Sequence, residues 1–98
     1  MTARARDGAD RSTPTEDEVF AVIRDAIVTV LEVEPGGVRR ETALVDDLRV
    51  DSLALVEMVE LVEERLRPLT GGRFHIDDDD LDTLVTVGDT VDYALARL

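Results

Sequence analysis

Residues 48–53 read Leu-Arg-Val-Asp-Ser-Leu, and they mark the point where a long loop meets the most regular helical pattern of the chain. Asp51 is a favourable N-cap residue, because its carboxylate can accept hydrogen bonds from the unpaired N–H groups of the first helical turn. Ser52 lies at the same junction and could share the capping. Since capping explains most serines at helix starts, the role of Ser52 depends on its surroundings.

The helical pattern over residues 53–66 has two different faces. Apolar side chains form a core stripe about 100° wide, made of Leu55, Met58, Val59, Val62 and Leu66. The opposite side carries four acids and two apolar residues, namely Glu57, Glu60, Glu63, Glu64, Leu53 and Val56. An acidic face is usually only a solvated face. Two apolar residues beside Ser52 on that face favour a surface that contacts a partner.

The motif Asp51-Ser52-Leu53 resembles the attachment motif of acyl carrier proteins. Its flanks are also similar to those of the family: Val-Asp-Asp-Leu precedes it at residues 45–48 and Val-Glu-Met-Val follows at residues 56–59. Further segments resemble the family's third and fourth helices, at residues 74–77, 84–87 and 91–93, so that the resemblance covers residues 16–97. The chain departs from the family at Arg49, where glycine is usual, and in a longer connection over residues 68–73.

This resemblance implies that Ser52 carries phosphopantetheine through a phosphodiester, within a cofactor-binding motif completed by Asp51 and Leu53. A phosphopantetheinyl transferase would attach the arm from coenzyme A, and the terminal thiol of the arm would hold acyl groups as thioesters. Because the chain has no cysteine, that thiol must be imported. The protein would then be a non-catalytic acyl carrier in fatty-acid, polyketide or related lipid or secondary-metabolite biosynthesis.

Any enzyme that acts on the arm must approach Ser52, so the mixed face of the second helix is the predicted docking surface. Its residues are Leu53, Val56, Glu57, Glu60, Glu63 and Glu64. Carboxylates around an apolar contact suit partners with a basic rim, and the resemblance implies acyl transferases or ligases and ketosynthase-type enzymes with basic docking patches. Acyl chains could shelter against wall residues in the bundle, namely Val59, Leu61, Val62 and Ile76.

Two other functions stay open. A peptidyl carrier for amino acids would have the same motif, although the acidic second helix and residues 56–59 favour the acyl type. The second alternative, from a different class of protein, is an acidic protein-interaction domain that is never modified.

Composition sets the broad class of the protein. The chain has 98 residues and a net charge of -12, which predicts one small domain that repels nucleic acid and anionic membranes. The charge also favours a soluble monomer. No apolar run approaches the ~18 residues of a membrane span, and the N-terminus does not read as a signal peptide. We therefore expect a cytoplasmic protein without nucleic-acid or membrane partners.

The first half of the chain predicts a tail, a helix and a long loop. Residues 1–14 lack periodicity and predict a disordered N-terminal tail before a carrier domain over residues 15–98. Thr15 and Glu18 form a predicted capping box for a first helix over residues 16–31. The following loop of about twenty residues is long, but five apolar residues should hold it on the core: Val38, Leu44, Val45, Leu48 and Val50.

The second half completes an all-α fold. Pro68 and the glycines at 71 and 72 are expected to end the second helix, and Phe74 and Ile76 look buried. The acidic run over residues 77–80 should cap a short third helix, and Thr86 should cap a fourth, with Asp89 at its N3 position. The prediction is a small four-helix bundle, with three main helices, one short helix and a long loop between helices one and two.

A built metal site is not expected, although loose surface binding of divalent cations to the acidic run over residues 77–80 stays open. A calcium loop starting at residue 77 would need glycine at position six and glutamate at position twelve, where Asp82 and Gly88 stand. The single histidine and the absence of cysteine exclude a zinc site of the usual kind.

Serine-based catalysis is not supported either. A triad would have to combine Ser52 or Ser12 with His75, and neither serine lies in a nucleophile elbow. His75 is better explained as a partly exposed structural residue.

Overall fold

The computed structural model describes residues 14–72 and 74–98. The predicted disordered tail lies outside these residues, except for Pro14, which is buried. The packed part of the chain therefore includes at least this last residue of the predicted tail.

The described residues contain three α-helices and two short 3-10 helices. We number the α-helices α1 (Glu16–Leu31), α2 (Ser52–Thr70) and α3 (Val87–Ala96). The 3-10 helices are Pro35–Gly37, within the long loop, and Asp78–Thr83, between α2 and α3. No β-strand occurs in residues 14–72 and 74–98. The predicted all-α fold, with three long helices and a short one after α2, is confirmed.

The start of α1 follows from its capping residues. The Thr15 side chain accepts a hydrogen bond from the Glu18 N–H (3.2 Å), and the Thr15 N–H donates to the Glu18 carboxylate (2.7 Å). This reciprocal pair is the predicted capping box. The helix ends before the glycines at 36 and 37, because Glu32 already adopts a left-handed conformation with φ of 57°.

The second helix is longer than the sequence suggests, because it continues through Pro68 to Thr70. Proline lacks the N–H that would extend the ladder at its own position, but Pro68 lies in the last, exposed turn. The helix ends at Gly71, whose φ of 75° is a left-handed conformation that glycine adopts without strain. Of the residues expected to end the helix, Gly71 does so and Pro68 does not.

The core contains buried apolar residues from all three α-helices and from the connections between them. They include Val19, Ile23, Ile27, Leu44, Met58, Val62, Leu66, Phe74, Ile76, Val87 and Val91. Four of the five predicted loop anchors are at least half-buried, with Val38, Leu44 and Val50 fully buried and Leu48 packed at the edge. The fifth, Val45, is 61% exposed, so its predicted role as an anchor is wrong.

The long loop is fixed to the start of α3 by backbone hydrogen bonds. The Leu44 N–H donates to the Val85 carbonyl (2.9 Å), and the Gly88 N–H donates to the Arg40 carbonyl (2.8 Å). A Cβ at Gly88 would lie 3.0 Å from that carbonyl oxygen, so any other residue would require the Arg40 carbonyl to move by a few tenths of an ångström. The loop is therefore ordered by tertiary contacts despite its length.

The acidic run after α2 forms a helix instead of only preceding one. Asp78, Asp79 and Asp80 lie inside the 3-10 helix, and Asp77 stands at its N-cap without a capping hydrogen bond from its side chain. The predicted caps of α3 are confirmed, since Thr86 accepts from the Asp89 N–H (3.0 Å) and the Asp89 carboxylate accepts from the Thr86 N–H (3.0 Å).

Candidate functional site

Ser52 is the first residue of α2 and is exposed. The cap of this helix is Asp51, whose carboxylate accepts the Ala54 N–H at 2.8 Å. Within the described residues the Ser52 hydroxyl takes no part in this cap, so the two neighbouring side chains have separate roles. The structure thus presents an unengaged hydroxyl at the N-terminus of a long helix.

The turn before Ser52 sets its position. The Val50 side chain is buried, and its N–H donates to the Leu44 carbonyl at 3.0 Å. Asp47 closes the preceding turn by accepting the Ala43 N–H at 2.8 Å. Arg49 adopts a φ of 59°, a left-handed conformation that glycine favours. This explains in physical terms why glycine is usual at that position in the family the chain resembles.

The predicted docking surface is exposed over most of its length. Leu53 is 68% exposed and Val56 is 43% exposed, although both are apolar. Glu57, Glu60 and Glu64 are also exposed, and none of them forms an ion pair with another described residue. We call these five residues the α2 outer face.

Glu63 was predicted to belong to this surface, and that prediction is wrong. Only 7% of Glu63 is exposed, because it lies one turn after Val59 and one turn before Leu66, beside the core stripe. The Glu63 Oε2 atom accepts the Ile76 N–H at 2.7 Å. The same atom lies 3.0 Å from Nδ1 of His75, which is itself exposed. Glu63 thus joins α2 to the segment before the acidic 3-10 helix.

Two partly enclosed recesses open near this end of the bundle, apart from a wider and more open one in the loop before Ser52. The larger has a volume of about 220 Å³ and is mostly apolar, and its lining includes Leu44, Val50, Leu55, Leu81 and Leu84. The smaller, of about 160 Å³, is lined by Val56, Val59, Glu63, Ile76 and Leu81, among others. Of the predicted wall residues, Val59 and Ile76 line the smaller recess, whereas Leu61 and Val62 line neither.

Leu81 borders both recesses, and its 3-10 helix is held on α3 by a polar cluster. The Tyr93 hydroxyl donates to Asp80 at 2.6 Å, and Arg97 donates to the same carboxylate oxygen at 2.9 Å. The hydrogen bond from Tyr93, with that from Arg97, holds the pKa of Asp80 below its ordinary value. Burial, with the hydrogen bond to Asp80, raises the pKa of Tyr93. Pattern analysis of the sequence did not reveal this cluster, because Asp80 is 13 residues from Tyr93 and 17 residues from Arg97.

Other kinds of site are not found in the described part of the chain. No group of three or more metal-ligating side chains comes together among residues 14–72 and 74–98. Within the same residues, each helix is too short or too polar to span a membrane.

Comparison with known proteins defines the class of this protein. Residues 21–94 match the family described as "Phosphopantetheine attachment site". An acyl carrier protein from Campylobacter curvus is 35% identical over 75 residues, which are 76% of this chain and 90% of the relative. The chain therefore belongs to the acyl carrier protein family, whose members carry phosphopantetheine and interact with enzymes of acyl biosynthesis.

Mycobacterial relatives are similar over a comparable length. Proteins named meromycolate extension acyl carrier protein, from Mycobacterium leprae and Mycolicibacterium smegmatis, are each 38% identical over 79 residues. The match covers 81% of this chain, and 64% and 74% of those two relatives.

Proposed function

We propose that Ser52 is the attachment residue for phosphopantetheine and that the protein presents acyl groups on this arm as thioesters. The observation that carries the proposal is the exposed, unengaged hydroxyl of Ser52 at the start of α2, beside a helix cap that Asp51 completes alone. Ser52 is the only serine within the matched residues 21–94, since the chain's other serine is Ser12.

The local chemistry suits a phosphodiester. The unpaired N–H groups and positive dipole end of a helix N-terminus favour a negative group. Asp51 caps the start of the helix, and because it is itself anionic it weakens some of this attraction for the phosphodiester. Phosphopantetheine supplies a thiol, which the chain cannot provide because it has no cysteine. The chain's own contribution is to hold the Ser52 oxygen on a rigid, solvent-facing helix end.

We also propose that the α2 outer face is where partner enzymes dock. Leu53 and Val56 offer an apolar contact, and Glu57, Glu60 and Glu64 surround it with carboxylates that no described residue neutralises. Such an arrangement matches enzymes with a basic rim, including a phosphopantetheinyl transferase, acyl transferases or ligases, and ketosynthase-type enzymes. The carrier itself would catalyse no step, and it would meet these enzymes in the cytoplasm.

The larger recess is the proposed shelter for the apolar end of a bound acyl group. Its leucine and valine lining favours a fatty-acyl or polyketide chain over an amino acid. The mycobacterial relatives named for meromycolate extension support the fatty-acyl alternative. A peptidyl carrier remains the second candidate, because the attachment chemistry is the same.

The first test is the intact mass of the purified protein after incubation with coenzyme A and a broad-specificity phosphopantetheinyl transferase. We expect one phosphopantetheine per chain. A mass that stays unchanged, under conditions that load a known carrier, would favour an acidic interaction domain that is never modified. Loading of the modified protein by a fatty-acyl ligase, compared with an amino-acid-activating enzyme, then separates the acyl from the peptidyl carrier.

A further inference from the structure

Arg49 is an isolated cation beside the proposed attachment site. It is the only basic residue from Glu41 to Glu64, a stretch that contains Ser52 and eight acidic residues. Its side chain is exposed and makes no ion pair or hydrogen bond within the described residues. Several other arginines each contact a carboxylate, namely Arg24, Arg40, Arg67 and Arg97. The fold therefore gives the Arg49 guanidinium no partner of its own.

The backbone of Arg49 adds a second observation. Its φ of 59° lies in the left-handed region, which is strained for a residue with a side chain and is readily adopted by glycine. The Arg49 N–H donates to the Val45 carbonyl at 3.0 Å, but glycine would form the same bond. The strain thus accompanies a side chain that contributes no hydrogen bond and no ion pair to the described part of the fold. Strain that the fold does not require is a reason to look for a functional role.

The surroundings of Arg49 show what it can contact. Together with Val45, Asp46 and Val50 it lines an open recess in the loop that precedes Ser52. Val45 is 61% exposed and gives this surface an apolar component. Ser52 is therefore preceded by a loop surface with an unpaired cation and an exposed valine, and it is followed by the α2 outer face, which is acidic.

We propose that Arg49 is a specificity-determining residue, whose guanidinium binds a carboxylate of the enzyme that receives the carrier. This inference rests on the proposed function. A planar guanidinium suits bidentate binding of a carboxylate, and Val45 would pack beside it. The carboxylates of the α2 outer face would contact the enzyme's basic rim in the same complex.

Two charges of opposite sign fix the orientation of a docked carrier. If the enzyme approached in a reversed orientation, like charges would meet on both sides of Ser52, which disfavours that complex. An enzyme whose rim is basic throughout would be repelled by Arg49. The carrier would thus select enzymes that combine a basic rim with one acidic position facing the loop.

The test uses the full chain carrying phosphopantetheine and a purified ketosynthase that accepts acyl groups from the wild-type protein. Transfer rates at low salt are measured for Arg49→Gln and Arg49→Glu. The matched control is Arg39→Gln, because Arg39 is also an exposed loop arginine whose side chain makes no ion pair or hydrogen bond among the described residues. We expect Arg49→Glu to slow transfer roughly tenfold, Arg49→Gln to slow it less, and the control to have no effect.

The proposal depends on whether Arg49→Glu slows or speeds acyl transfer. If Arg49 only weakens an otherwise acidic docking surface, the change to glutamate should speed transfer, and that result would overturn the proposal. Equal rates for wild type and both variants would overturn it too.

The variant Arg49→Gly tests whether a slower transfer rate results from a damaged fold. It should raise the melting temperature, because it relieves the strained φ, and still slow transfer. A wild-type protein that accepts no phosphopantetheine would contradict the proposed function itself, whereas loading with unchanged transfer would contradict only the role of Arg49.

Discussion

Glu63 and Glu64 are consecutive residues in α2, but they differ in burial and in their contacts with the rest of the protein. Glu63 is buried, accepts the Ile76 N–H at 2.7 Å and contacts His75. Glu64 is exposed and has no ion-pair partner among the described residues. One step along a helix turns a side chain by 100°, which here separates a residue that maintains the fold from one that faces solvent.

A similar division separates other acids of the described residues. One group is paired: Glu16 and Asp92 each form an ion pair with Arg40, and Asp80 binds Tyr93 and Arg97. The other group, on the α2 outer face, is unneutralised and lies next to Ser52. Net charge alone therefore does not identify a docking surface, and neither does the absence of ion-pair partners, since Glu34 and Glu41 also have none. What distinguishes the α2 outer face is that its acids lie with two exposed apolar residues, Leu53 and Val56.

The largest effect on stability is expected at Glu63. Replacing it by alanine leaves the buried Ile76 N–H without its acceptor, which should lower the free energy of unfolding by about 2 kcal/mol. Glu64→Ala is the matched control and should change it by less than about 0.5 kcal/mol. Urea unfolding followed by circular dichroism measures both. Equal effects of the two substitutions would remove the distinction between the two groups of acids.

Charge reversal on the α2 outer face should change rates and leave the fold intact. Glu57→Lys combined with Glu60→Lys is expected to slow loading by the transferase several-fold at low salt. It should also flatten the dependence of the rate on ionic strength, because salt screens the same attraction in the wild type. The control is Glu34→Lys with Glu41→Lys, which changes the net charge equally at exposed loop positions. Loading rates across a salt series provide the comparison.

For this second prediction, the circular dichroism melt of each double variant should stay close to that of the wild type, since exposed charges are individually worth well under about 1 kcal/mol. Two observations would contradict the docking role: a wild-type rate that ignores salt, or control substitutions that slow loading as much as the changes on α2.

A smaller effect, visible mainly through its pH dependence, is expected at Asp80. Because its pKa is lower in the folded protein than its ordinary value of 3.8, the ionised carboxylate stabilises the fold above about pH 4. This contribution is lost as the pH falls through the folded-state pKa. Asp80→Asn should therefore be less stable than the wild type at neutral pH, and the difference should shrink in acid. Thermal melts over a pH series test this, and a difference that stays constant with pH would contradict it.

The sequence was sufficient where the decisive interactions are local. Both capping boxes, and with them the start of α1, and the capping role of Asp51 involve residues three apart, so spacing alone predicts them. The core stripe of α2 and the exposure of Leu53 and Val56 also follow from helical periodicity.

The missed features depend on contacts that spacing does not contain. Glu63 is buried because the backbone of Ile76, 13 residues away, returns to it. Val45 faces outward because the turn that ends at Arg49 redirects the chain, and a positive φ at a non-glycine residue cannot be read from its identity. The continuation of α2 past Pro68 depends on that turn being exposed.

Whether Ser52 receives the phosphopantetheine arm can be measured directly, because the chain contains only two serines, Ser12 and Ser52. Ser52→Ala and Ser12→Ala are each incubated with coenzyme A and the transferase, and peptide mass spectrometry locates the added group. Asp51 still caps α2 in the first variant, so its loss of stability should not exceed about 1 kcal/mol, which a thermal melt verifies. We expect full modification of Ser12→Ala on the peptide containing Ser52 and no modification of Ser52→Ala. Phosphopantetheine on a folded Ser52→Ala protein would contradict this expectation.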